Sequence, residues 1–168
     1  SNNPICDGDD AIFTITGTAG HQITYSGVTG TPASPVTIGA GGTASVTVNA
    51  VSTNQTILLG TVTNPTTNCS TTLIDTNTVT VNPNPTVTLT SNNPICSGSD
   101  AIFTITGTAG DLVTYSGVVG IPASPITISP GGTTTVTINV PTANQTITLN
   151  SVSNPTTTCS TNLTNTAT

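Results

Sequence analysis

Apolar and polar residues alternate along the chain in short runs bounded by Gly, Pro and Asn. In "AIFTIT", Ala11, Phe13 and Ile15 share one face, the period of two that marks a half-buried strand. The same pattern predicts strands at "QITYSGV" around Tyr25, "PVTI", "SVTV", "QTILLGTV" and "TVTV". Gly39-Ala40-Gly41-Gly42, between PVTI and SVTV, reads as a hairpin turn, and Ser129-Pro130-Gly131-Gly132 is its counterpart further on.

The pattern occurs twice. Residues 1–78 align with 91–168 without a gap, and 52 of the 78 positions are identical. Similarity at a fixed period of 90 is the mark of a tandem array. Between the copies, Val79 to Thr90, "VTVNPNPTVTLT", occurs once, as expected of an excerpt from a longer array or of a subunit completed by its neighbours. Within this joint, Asn82-Pro83-Asn84-Pro85 separates two alternating runs. Proline removes a ladder donor and pushes the preceding residue toward extended conformations. These four residues therefore read as a short stiff hinge, with domains at 1–83 and 84–168. The run before SNNPIC counts as a first strand, possessed in full only by the second copy; the second copy's last strand is the shorter one.

Thr, Val and Ile dominate, and these side chains fit a pleated surface. The fold class expected is all-β: two tandem immunoglobulin-like β-sandwich domains of about seven strands each. With only two Phe and two Tyr in 168 residues, each core must be built from aliphatic side chains and Thr methyls, so a covalent link is expected to support it.

Charge narrows the function classes. The chain has no Lys or Arg and six acidic residues, all Asp, so it lacks the clustered cations that bind nucleic acid or anionic membrane surfaces. No apolar run is long enough to span a membrane as a helix. The absence of Lys also forbids a Lys–Asn isopeptide bond. Alternating strands place Thr, Ser and Asn outward, a surface that hydrates without a strong field.

Cys6, Cys69, Cys96 and Cys159 form two equivalent pairs, each separated by 63 residues. Without CxxC spacing or a His cluster they point to disulfides and an oxidising compartment. Closure of each module on itself, Cys6 with Cys69 and Cys96 with Cys159, would remove roughly 4 kcal/mol of unfolded-state freedom. The alternative, Cys69 with Cys96, would staple neighbours. "CDGDDA" offers Asp7, Asp9 and Asp10 as weak calcium candidates, but the aligned "CSGSDA" keeps only Asp100 and no Glu closes either loop. His21, replaced by Asp111 in the second copy, reads as a turn residue. No nucleophile, base and orienting group recur together, so no enzyme and no cofactor are expected. Asn54, Asn68, Asn144 and Asn162 open N-glycosylation motifs.

The residues "NPICSGSDAIFTITG", "TYSGV", "PITISPGGTTTVTI", "NPTTTCST" and the VTVNPNP joint resemble the Thr-rich, immunoglobulin-like (PKD-like) repeats of large Bacteroidota surface proteins and adhesins, including those tied to gliding motility and type IX secretion. The resemblance implies export to the cell surface and a stalk or fibre role. The expected partners are neighbouring similar repeats, with any host, surface or glycan ligand bound elsewhere in the native chain. Two alternatives stand beside the stalk. One is a subunit of a self-assembling filament, joined by strand addition of a run such as Val79 to Leu89. The other is a carbohydrate- or protein-binding module, disfavoured by the scarcity of aromatic platforms.

Overall fold

The computed structural model describes every residue from Ser1 to Thr168. The chain is all-β with no helix, and it divides into two compact units, Ser1–Pro83 and Asn84–Thr168.

In the first unit the strands run β1 (Ile5–Cys6), β2 (Ala11–Thr16), β3 (Gln22–Ser26), β4 (Val36–Thr37), β5 (Thr43–Val48), β6 (Gln55–Thr63), β7 (Ser70–Thr72), β8 (Thr76–Val79) and β9 (Val81–Asn82). One sheet has the order β4-β3-β6-β7, with β8 also on β6. A second pairs β2 with β5, and β1 pairs with β9 in parallel. The alternation read from the sequence is the burial pattern of β2, whose odd positions Ala11, Phe13 and Ile15 are buried and whose even positions are exposed. Those side chains and Val46 of β5 meet Ile23, Tyr25, Val36 and Ile57 of the facing sheet in a single cluster. Two sheets burying their inner faces against each other is the β-sandwich solution.

The second unit comprises β10 (Val87–Ser91), β11 (Ala101–Gly107), β12 (Leu112–Ser116), β13 (Ile126–Thr127), β14 (Thr133–Ile138), β15 (Ile147–Ser153), β16 (Ser160–Asn162) and β17 (Thr166–Ala167). Its sheets are β13-β12-β15-β16, with β17 on β15, and β10-β11-β14. Phe103, Ile105, Val113, Tyr115, Val136 and Leu149 centre a separate core.

The hairpin expected at Gly39–Gly42 does not form. The runs on either side of it enter different sheets, β4 pairing with β3 and β5 with β2. The same holds at Ser129–Gly132, where β13 pairs with β12 and β14 with β11. The turn is a corner between layers: Gly42 N–H donates to Gly39 C=O, while Gly42 C=O accepts from Gly17. Because Val36, Ile38 and Val46 are all buried, crossing between layers lets both runs face one core, which an exposed hairpin would not.

In each copy the Tyr-Ser-Gly segment closes the inner face. The phenol of Tyr25 donates to Pro32 C=O at 2.6 Å, and that of Tyr115 to Pro122 C=O at 2.6 Å. Gly27 follows at φ 88°, where an added Cβ would lie 2.4 Å from the Thr56 carbonyl oxygen. Only glycine accepts both that dihedral and that approach.

Candidate functional site

Cys6 and the Asp-rich loop of the first copy lie where β1 meets β9. Ile5 lies opposite Val81 and Cys6 opposite Asn82. Ile5 N–H donates to Thr80 C=O at 3.0 Å and Asp7 N–H to Asn82 C=O at 2.9 Å. Side-chain amides hold both edges of the same segment: Asn3 Oδ1 accepts from Thr80 N–H at 2.6 Å on the β1 side, and Asn54 Oδ1 from Val81 N–H at 2.8 Å on the other. Val79 is fully buried, and Val81 packs against the core beside it. Thr80 points outward, so alternation places both valines inward and uses the backbone on both edges.

The Asp-rich loop beside this strand is a clasp built from backbone bonds. Asp9 Oδ2 accepts from Cys6 N–H at 3.0 Å, and Asp10 Oδ1 from Ala50 N–H at 2.8 Å. Asp100 repeats the second bond to Val140 N–H at 2.9 Å. Ala50 and Val140 have φ of 47° and 41°, a left-handed conformation that costs an L-residue about 1–2 kcal/mol. The aspartate therefore holds a strained loop. Asp7, Asp9 and Asp10, the calcium candidates, do not converge, and no group of three or more His, Cys, Asp or Glu is arranged to hold a metal ion.

The cysteines divide differently from either expected pairing. Cys6 and Cys159 are disulfide-bonded, whereas Cys69 and Cys96 are exposed free thiols. Topology explains why a module does not close on itself. Cys6 sits beside Asn82, just past the end of β6 where Gln55 faces Val79; Cys69 precedes Ser70, which faces Thr63 at the other end of β6. The eight steps from Gln55 to Thr63 span about 26 Å at the usual strand rise, and a disulfide needs Cα atoms within about 7 Å. The second unit has a similar layout, with Cys96 and Gln145 lining one groove and Cys159 preceding Ser160, which faces Ser153. Cys159 is buried and Cys69 is not.

The hinge residues fall to the two units in turn. Asn82 belongs to β9 and Pro83 closes the first unit. Asn84 opens the second, and the buried Pro85 is anchored there, its carbonyl accepting from the Thr161 hydroxyl at 2.7 Å.

Asp111 gave no sign of burial in the sequence, yet it is 1% exposed. Its Oδ1 accepts from Asn154 Nδ2 at 2.9 Å and its Oδ2 has no hydrogen-bond partner. His21, at the equivalent position, is half-buried. The paired site residues Asn3 and Asn54 were also missed as a site. Their equivalence to Asn93 and Asn144 was the available signal, but Asn is so frequent in this chain that nothing singled them out.

No protein-family model matches the sequence, and no curated protein is similar to it. No helix is long and apolar enough to cross a membrane.

Proposed function

We propose that the chain is a structural segment of an extracellular stalk or filament, built from tandem immunoglobulin-like modules of the kind found in Thr-rich repeats of Bacteroidota surface adhesins. The observation that carries this reading is the repeat itself: 52 of 78 aligned positions are identical, and each copy is a compact unit with its own core. Repeating a self-sufficient unit turns chain length into reach, because each unit contributes its own stability. A sparsely charged surface rich in Thr, Ser and Asn suits such a role, since few charges set a weak field between neighbouring fibres. The disulfide-bonded Cys6 and Cys159 accord with an oxidising, cell-surface location. The segment has no catalytic task, and its partners are repeats like itself.

The test is the size of the native polypeptide on a reducing, denaturing gel, set against the 16.6 kDa of this chain. A band several times larger is expected from one covalent array. A band near 16.6 kDa would overturn that form of the proposal and favour a subunit that polymerises.

A further inference from the structure

The strand-closing site of the first unit has a counterpart in the second that is laid out for the same guest. Adding the period of 90 to Asn3, Ile5, Asp7 and Asn54 gives Asn93, Ile95, Ser97 and Asn144. In the first unit these four positions supply the two backbone N–H donors and the two amide acceptors that hold Thr80–Asn82. In the second unit all four line one open groove of about 430 Å³, together with Cys96 and Phe103. The side chains agree with the backbone. Ile5, covered by the guest strand, is 7% exposed, while Ile95 is 37% exposed.

We propose that this groove is a β-strand acceptor. Its guest is an extended peptide segment with the chemistry of Val79–Asn82, namely two β-branched apolar side chains two positions apart, then an amide. The guest lies parallel to Ile95–Cys96. Its first apolar side chain seats beside Phe103, its backbone accepts from Ile95 and Ser97 N–H, and it donates to the Asn93 and Asn144 amides. Main-chain bonds supply affinity and the alternate apolar side chains supply selectivity, as in other strand additions. This goes beyond the stalk reading and does not depend on it: that reading is decided by the size of the native chain, this one by the groove.

The two free thiols make the test internally controlled, because Cys96 lines the groove and Cys69 belongs to the other unit. A blocked synthetic peptide with the sequence of Val79–Pro85, VTVNPNP, is added to the full 168-residue chain without reductant. Iodoacetamide alkylation of each thiol is then followed by mass spectrometry. The expected result is saturable protection of Cys96, at least fivefold in rate, with Cys69 unchanged. A peptide carrying Val79→Asp and Val81→Asp gives no protection. Asn144→Ala in the chain, at an exposed position, weakens the peptide about tenfold by removing one acceptor. Equal alkylation of both thiols at millimolar peptide would overturn the proposal, as would protection by the aspartate peptide. So would protection of Cys96 without peptide that tracks dimer formation in sedimentation, since the guest would then be a second copy of this chain.

Discussion

The two units share most of their residues and nearly all of their strand pairings, yet each lacks a strand that the other has. In the second, β10 pairs along β11 from Gly107 to Phe103. The matching edge of β2 in the first has no such neighbour, and Phe13, Ile15 and Thr16 line a shallow groove there. In the first, β9 covers Ile5, and Val79 and Val51 complete the core. In the second the corresponding end is the open acceptor groove, and Val87 joins the core from the opposite side. A repeat of 90 residues is therefore not a folding unit cut at SNNPIC. The joint is divided at Pro83, its first half belonging to the first unit and its second half to the second.

That comparison can be broken by experiment. The largest effect is expected at the isoleucine before each cysteine. Ile5→Ala should cost the first unit about 3 kcal/mol, as for other buried isoleucines. Ile95→Ala should cost the second well under about 1 kcal/mol, as for a surface change. Hydrogen exchange resolved onto residues 1–83 and 84–168 separates the two, and equal losses would mean that β9 does not cover Ile5 in solution. A smaller difference is expected at the amides. Asn54→Ala removes the acceptor of the Val81 N–H at an exposed position and should cost about 1 kcal/mol, against a change within about 0.5 kcal/mol for Asn144→Ala.

The smallest effect should be common to both units. Burial raises the phenol pKa of Tyr25 and of Tyr115 above the ordinary value of 10.0. The folded state therefore holds the phenolic proton more tightly than the unfolded chain does. Stability from this source is complete below about pH 10 and is lost as pH rises through the raised folded value. Alkaline unfolding followed by phenolate absorbance should show both tyrosines ionising late and together with loss of structure. Ionisation of one of them at its ordinary value, with the fold intact, would separate the units where the sequence makes them alike.

Much of the all-β class was legible, because alternation is a local property. Ala11, Phe13 and Ile15 point the same way whatever they later touch. The Thr-, Val- and Ile-rich composition likewise spoke against helix without reference to any contact, and the chain has none. Partners were less legible. PVTI and SVTV look like a hairpin because four turn residues join them, and the need of Val36 and Val46 to face one core from two layers outweighs that local signal. The groove was invisible for the same reason, since Asn93, Ile95, Ser97 and Asn144 are separated by up to 51 residues and acquire meaning only when they meet.

The cysteines show the division most plainly. Their spacing and their repetition announced cross-linking chemistry, and the chain does contain disulfide-bonded cysteine. Which thiols bond was beyond any reading of spacing, because 63 residues of chain can bring two sulfurs together or hold them apart. In this fold the nine residues of β6 stand between them, placing Cys6 and Cys69 at its opposite ends. Periodicity along a chain sets which way side chains face; distance between chain segments is set by the length and direction of the strands that separate them.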